Sequence, residues 1–361
     1  MSRRAKIVCT LGPATGTPER VRALVEAGMD VARLNFSHAD HETHRSMYHA
    51  VRAASDATSH AVGVLADLQG PKIRLGMFEG GSATLEPDAE FRITTERVLG
   101  TARRASTDYA SLASEVKPGD TVLIDDGRVH LEVLKTDGRE LTCRVIHGGV
   151  VSNHKGLNLP GADLRVEALG EKDLADLEFA LTLRVDMVAL SFVRRPEDVL
   201  RVRQILERHG AQLPVIAKIE KPEAVARIEE ILDTFDGVMV ARGDLGVESP
   251  LERVPLVQKE IIRLARAKAK PVIVATQMLE SMIENSTPTR AEATDVVNAV
   301  LDGADAVMLS GETSVGAHPL EVVRVMNRLI MAAESNGGPV IELRRGRSVT
   351  AQEAVSRAAA R

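Results

Sequence analysis

The sequence predicts an α/β protein, a (β/α)8 barrel of the TIM type with a small all-β domain inserted in it. Three observations predict this. Short Val/Ile/Ala-rich runs alternate eight times with amphipathic stretches of helical period. Such alternation implies parallel strands with right-handed crossovers, and eight repeats favour a closed barrel over an open doubly wound sheet. One connection, after Asp67, is far longer than the others and reads as hairpins rather than helix. Finally, charged residues stand at the ends of apolar runs: Lys218-Ile219-Glu220 closes Val215-Ile216-Ala217, and Arg242-Gly243-Asp244 closes Val238-Met239-Val240-Ala241. Strand ends are where a parallel barrel builds its site.

In chain order the strand candidates are Lys6–Thr10, Val31–Phe36, Val62–Asp67, Met187–Phe192, Pro214–Ile219, Gly237–Ala241, Pro271–Thr276 and Ala306–Ser310. Helical patterns cover Glu19–Ala27, His41–Ala54, Glu171–Leu181, Pro196–Arg208, Pro222–Leu232, Val254–Ala269, Arg290–Leu301 and Pro319–Ala333. In the third unit the strand ends near Asp67 and its helix begins near Glu171. Between them Phe91–Thr95, Thr121–Ile124, Val129–Lys135 and Leu141–Ile146 read as strands, with Asp126-Gly127 and Asp137-Gly138 as hairpin turns. The expected organisation is barrel over 1–70, an inserted β domain over 71–156, and barrel again over 157–335. An insertion rooted on that rim can close over the site as a lid. Asn336-Gly337-Gly338-Pro339 is linker-like, and Val349–Ala360 begins another amphipathic helix within 336–361.

The chain has 361 residues, enough for two or three domains; 44% are hydrophobic and 27% charged, the balance of a globular protein. A net charge of -5 argues against general nucleic-acid or membrane binding. A phosphate site must therefore be a local concentration of cations. Cys9 and Cys143 lie in separate β-like runs and read as buried, reduced thiols. Met1 to Thr15 has too short an apolar run for a signal peptide, and no run reaches membrane-spanning length. A cytoplasmic location is expected.

The chemistry follows from the strand ends. Glu220 and Asp244 are hard oxygen ligands. Two carboxylates completed by substrate oxygens and water suit Mg²⁺, which seldom takes an all-protein cage. The Lys218 ammonium beside them can neutralise a migrating phosphoryl group. Structural ion pairing with Lys218 or Arg242 is the competing reading of these carboxylates. Alternation puts Arg33, Asn35 and Ser37 on one side of the second strand. Arg33 suits a phosphate through its planar fork, or else pairs with a nearby carboxylate for structure. Asp67 closes the third strand and is followed by Gln69-Gly70-Pro71-Lys72-Ile73-Arg74. Lysine is scarce, 11 against 35 Arg, so Lys72 and Lys218 at strand ends are informative. The Thr276 hydroxyl can relay a proton or bind substrate, or act as a cap. Ser310 and Glu312 end the eighth strand, where Glu312 can position a water or a neighbouring side chain. His38, His41, His44 and His49 crowd one segment, and a solvated helix face is favoured there over zinc. Neither GxxxxGK[ST] nor GxGxxG occurs. The residues alone thus point to a Mg²⁺-dependent enzyme acting on a phosphorylated or enolisable carboxylic acid.

At these residues the chain resembles the pyruvate kinase family. The matching segments are Lys6–Pro13 (KIVCTLGP), Arg33–His38 (RLNFSH), Asp67–Arg74, Lys155–Gly161 (KGLNLPG), Val215–Lys221 (VIAKIEK), Gly237–Glu248 (GVMVARGDLGVE), Ala275–Met282 (ATQMLESM) and Met308–Thr313 (MLSGET), in order as far as about residue 335. The resemblance implies phosphoryl transfer from phosphoenolpyruvate to ADP, giving pyruvate and ATP. It implies Mg²⁺, with Mn²⁺ as a substitute, held by Glu220 and Asp244. Lys218 would stabilise the phosphoryl group in flight and Arg33 would grip the substrate phosphate. The Gly243 and Asp244 amides would hold the carboxylate with Thr276, which also lies on the route of the proton. Asn35, His38, Arg74 and Lys155 would face the nucleotide. Asn35, Ser37, Asp67 and Leu68 would form the monovalent-cation pocket.

Two departures from the family pattern stand out. Potassium-requiring members carry Thr-Lys-Gly-Pro-Glu after the third-strand Asp, whereas this chain has Leu68-Gln69-Gly70-Pro71-Lys72. That resembles the potassium-independent branch, with the Lys72 ammonium expected to fill the pocket so that K⁺ is not required. Family members also continue into a C-terminal α/β domain that carries effector and subunit contacts. Here only its start is expected, so the homo-oligomer of the family loses part of its interface. Two other functions compete. One is a different barrel enzyme acting on pyruvate or phosphoenolpyruvate; the other is a non-catalytic remnant that only binds a ligand or partner.

Overall fold

The computed structural model describes residues 3–162, 164–165 and 167–336. The helix expected over Val349–Ala360 lies outside the described residues.

The strands, numbered along the chain, are β1 (Lys6–Thr10), β2 (Val31–Asn35), β3 (Gly63–Asp67), β4 (Ser82–Leu85), β5 (Glu90–Thr94), β6 (Arg104–Ser106), β7 (Thr121–Ile124), β8 (Val129–Thr136), β9 (Glu140–His147), β10 (Gly149–Ser152), β11 (Leu157–Asn158), β12 (Met187–Leu190), β13 (Val215–Ile219), β14 (Gly237–Ala241), β15 (Val272–Ala275) and β16 (Ala306–Leu309). A closed parallel barrel runs β1-β16-β15-β14-β13-β12-β3-β2. Its register sets Lys218 opposite Met239, and Asn35 opposite Asp67. Val8, Leu65, Ala189, Ile216, Met239, Ile273, Ala306 and Met308 pack the barrel interior, and a larger apolar cluster fills the space between the strands and the surrounding helices. Burial on both faces is why β13, β14 and β16 read as continuous apolar runs instead of alternating ones.

Four expected strands run one or two residues too far. Phe36, Phe192, Thr276 and Ser310 fall outside them. Phe192 has φ 54° and Thr276 φ 68°, so the backbone turns left-handed there and leaves the strand. The expected helix Pro222–Leu232 is two helices, Pro222–Ala226 and Ile228–Thr234, parted at Arg227. A short helix not anticipated, Arg242–Glu248, starts directly after β14 and carries Gly243 and Asp244.

Between β3 and β12 the chain builds a six-stranded sheet, β11-β7-β8-β9-β5-β6, and a separate β10-β4 pair. Phe91, Ile93, Val122, Leu131 and Val145 belong to a core of its own. The four strands expected there are present; β4, β6, β10 and β11, at two to four residues each, are too short to carry a periodic signal. Both hairpin turns use positive φ, at Asp126 and Gly127 and at Gly138. The root of this insertion is held by one buried carboxylate. Asp173 Oδ1 accepts from the Gly70 amide (2.8 Å) and Oδ2 from the Gly170 amide (3.0 Å), at the two ends of the excursion. Asp173→Ala leaves the buried Gly70 amide and the part-buried Gly170 amide unpaired and is expected to cost about 2 kcal/mol. A urea midpoint unchanged from the parent would contradict that.

Cys9 and Cys143 are free and buried, and burial pushes both thiols up, Cys143 to about 12. Among the described residues no helix is long and apolar enough to cross a membrane.

Candidate active site

The ends of β2, β3, β12 and β13 bring one ladder of charges together. Arg33 Nε donates to Asp67 Oδ2 at 2.6 Å, and its Nη1 donates to Thr10 Oγ1 at 3.0 Å. Across the same carboxylate, Lys218 Nζ lies 3.3 Å from Asp67 Oδ1 and 3.0 Å from Glu220 Oε1, and donates to Ser191 Oγ at 2.7 Å. The Phe192 amide donates to Glu220 Oε2 at 2.6 Å. Arg33 and Lys218 are each 8% exposed, and Asp67 and Glu220 each 1%. The structural pairing of Arg33 is present, and Asp67 aims a guanidinium that retains further donors.

Electrostatics fix the protonation states. Burial alone would lower the Lys218 pKa, but the Asp67 and Glu220 carboxylates outweigh it and push it to about 12. Lys218 is thus an ammonium at any working pH. Burial would raise Asp67, yet Arg33 and Lys218 hold its carboxyl below the usual range. Glu220 is pushed up, chiefly by burial, with the Asp244 charge adding to it and Lys218 pulling the other way. A divalent cation between Glu220 and Asp244 would relieve both penalties. Each Glu220 oxygen keeps a lone pair beyond its protein contact. Among the described residues no group of three or more His, Cys, Asp or Glu could cage a metal. Two carboxylates completed by substrate oxygens and water would suit Mg²⁺.

Thr276 and Gly243 are in direct contact. The Gly243 amide donates to Thr276 Oγ1 at 2.8 Å, and that hydroxyl donates to the Ala275 carbonyl at 2.6 Å. Thr276 and Gln277 both have positive φ, a strained pair for residues with side chains. Arg242 holds the turn through the Thr276 and Gln277 carbonyls and is itself anchored on Asp295. Glu312 is buried, and burial raises its carboxyl. It accepts from the Leu279 and Ser310 amides, so what it positions is backbone. Ser310 Oγ is buried without a hydrogen-bond partner.

The remaining expected residues lie nearby. A cavity of about 750 Å³ beside Arg33 is bounded by Asn35, His38 and Ser310. Burial lowers the His38 pKa, and Arg33, Arg74, Lys72 and Lys172 lower it further, which marks a local cationic region on an acidic chain. Arg74 Nη1 donates to the His154 carbonyl and Lys155 Nζ to Asp125 Oδ1, both in the insertion. Asn35 Oδ1 accepts from the Ser37 amide, and the Leu68 carbonyl accepts from Ser191.

Lys72 sits differently from the expectation. Its Nζ is 3.8 Å from Asp126 Oδ1 in the insertion, while Asp67 is engaged by Arg33, Lys218 and Ser191. The cause is local packing. The Lys72 stem lies over Gly156, where a Cβ would come within 2.8 Å of Lys72 Cε. The histidine segment also departs from a solvated face. His44 is buried and stacked on Phe36, and His41 stacks on Phe179 and bonds Asp176.

Sequence reasoning missed Thr10, Ser191, Asn158, Lys221 and Glu248. Thr10 and Ser191 carried the signal used elsewhere, a polar residue at the end of an apolar strand. The other three lie inside matching segments, but nothing in the sequence shows that they meet one another.

A closed parallel barrel with buried cations and carboxylates at its strand ends, and a β unit inserted after β3, is the arrangement of a barrel enzyme. The profile of the family described as "Pyruvate kinase, barrel domain" matches residues 2–323. The pyruvate kinase of Corynebacterium efficiens is 61% identical over 337 residues, 93% of this chain and 71% of that protein. That of Mycobacterium tuberculosis is 62% identical over 336 residues, again 93% and 71%. A solved pyruvate kinase from Cryptosporidium parvum superposes with a TM-score of 0.92 at 40% identity, covering 99% of this chain and 75% of that one. This chain belongs to the pyruvate kinase family.

Proposed function

We propose that this chain transfers the phosphoryl group of phosphoenolpyruvate to ADP in the cytoplasm, with Arg33, Lys218, Glu220, Asp244 and Thr276 carrying the chemistry. The convergence of the Arg33 guanidinium and the Lys218 ammonium on Asp67, beside Glu220, supports this most directly. Mg²⁺ held by Glu220 and Asp244 would supply charge neutralisation for substrate oxygens, and Mn²⁺ would serve in its place. Arg33 binds the phosphate of the incoming ester. Lys218 meets the charge that spreads over the equatorial oxygens as the bond to the enol oxygen breaks and the bond from the ADP β-phosphate forms. The Gly243 and Asp244 amides orient the carboxylate together with Thr276. The enolate left behind takes a proton at its methylene carbon, along a route past the Thr276 hydroxyl, to give pyruvate. Asn35, His38, Arg74 and Lys155 face the nucleotide. The inserted β unit closes as a lid and keeps water from the phosphoryl group. We further propose that K⁺ is not required, because Lys72 supplies a fixed positive charge at the lid's base. Association into a homo-oligomer through barrel surfaces is part of the same reading.

Purified protein is expected to form ATP from phosphoenolpyruvate and ADP with Mg²⁺, at near full rate in a K⁺-free tetraalkylammonium buffer. Absence of ATP formation with K⁺ present would refute the kinase reading. Activity seen only with K⁺ would refute the Lys72 assignment alone.

A further inference from the structure

One buried polar cluster has no part in the chemistry above. Lys221 Nζ lies 2.5 Å from Glu248 Oε1, and Asn158 Nδ2 donates to the same oxygen at 2.7 Å. Lys221, Glu248 and Asn158 are all at most 7% exposed. Each belongs to a different piece of the machine. Lys221 directly follows Glu220. Glu248 lies one turn after Asp244 on the helix Arg242–Glu248. Asn158 ends β11, the last strand of the insertion, which pairs with β7 through Asn158 and Leu123.

We infer that Lys221, Glu248 and Asn158 are positioning residues that tie the inserted β unit to the two carboxylates proposed as metal ligands. A buried ion pair is a poor way to gain stability, since desolvation offsets its attraction; its best-attested use is to fix one arrangement against others. Here it fixes the strand end bearing Glu220 against the helix bearing Asp244. Asn158 extends the tie to the insertion. Its Oδ1 is buried with no partner, so its amide is held for the Glu248 contact alone. Reversing that amide would set two acceptor oxygens against each other. Movement of the β unit therefore acts on the spacing of Glu220 and Asp244, and the bound metal stiffens the unit in return.

The inference rests on Glu220 and Asp244 being the metal's ligands, so the test separates the two claims. Mn²⁺ binding to the full chain without substrate is measured by electron paramagnetic resonance, and hydrogen exchange follows residues 71–158. The apolar pair Lys221→Met with Glu248→Leu leaves no charge stranded. It should fold with a melting temperature near the parent's, yet bind Mn²⁺ about tenfold or more weakly. Asn158→Ala should raise exchange in β7 and β11 and weaken Mn²⁺ severalfold. A purely structural role would move melting temperature and leave Mn²⁺ affinity alone. Parent-like Mn²⁺ affinity in the double variant, or parent-like exchange in Asn158→Ala, overturns the inference. Equal Mn²⁺ binding by the parent and Glu220→Gln would instead overturn the metal-ligand reading, while the exchange arm still tests the tie.

Discussion

Replacing Lys218 by Met lowers kcat by on the order of 10³-fold while the KM for phosphoenolpyruvate moves far less. The reason is where the ammonium sits. In the proposed mechanism Arg33 binds the phosphate in the ground state, whereas Lys218 faces charge that develops only as the phosphoryl group leaves. Against burial, the Asp67 and Glu220 carboxylates push its pKa up and favour the charged form. The variant should still fold. Asp67 keeps Arg33 as its partner, and Glu220, already pushed up by burial, can take a proton. Steady-state kinetics with circular dichroism as the fold control checks this. A rate within tenfold of the parent would show that Lys218 is structural.

Asp67→Ala is expected to cost both stability and rate. One buried carboxylate aims Arg33, Lys218 and Ser191 together. Removing it strands the Arg33 guanidinium, at about 3–5 kcal/mol for a broken buried pair. With both cations unaimed, kcat/KM should fall by about 10²-fold or more, since small misplacements of positioned groups have effects of that size. The pH dependence provides a second signature. The folded-state pKa of Asp67 lies below its unfolded value, so its contribution is complete above about pH 4 and fades as pH falls through the depressed value. The parent should therefore lose stability in acid more steeply than Asp67→Ala does. Parallel acid-unfolding curves would contradict this assignment.

The barrel was legible because parallel strands buried on both faces leave unbroken apolar runs, and β1 and β14 match their expected bounds to the residue. The buried charges at the strand ends were legible for the complementary reason: Lys218 and Glu220 are costly to bury and stand out against the apolar run they close. What stayed hidden depends on geometry that sequence does not order. Phe192 and Thr276 leave their strands through left-handed backbone, which their residue types disfavour. The helix Arg242–Glu248 has only seven residues, too few to show periodicity. The reach of Lys72 toward Asp126 was not legible because the bare Cα of Gly156 that makes room for it lies in a distant segment. The Asn158–Glu248–Lys221 cluster joins residues 90 and 27 positions apart in its two links, and no local pattern predicts that they meet.

The most direct test is a crystal structure with Mn²⁺ and oxalate, a planar mimic of the enolate of pyruvate, using anomalous scattering to place the metal. The metal should lie between Glu220 and Asp244, with oxalate oxygens completing its shell and Lys218 Nζ within hydrogen-bonding distance of the bound ligand. Manganese found away from those carboxylates, or Lys218 turned from the ligand, would contradict the mechanism.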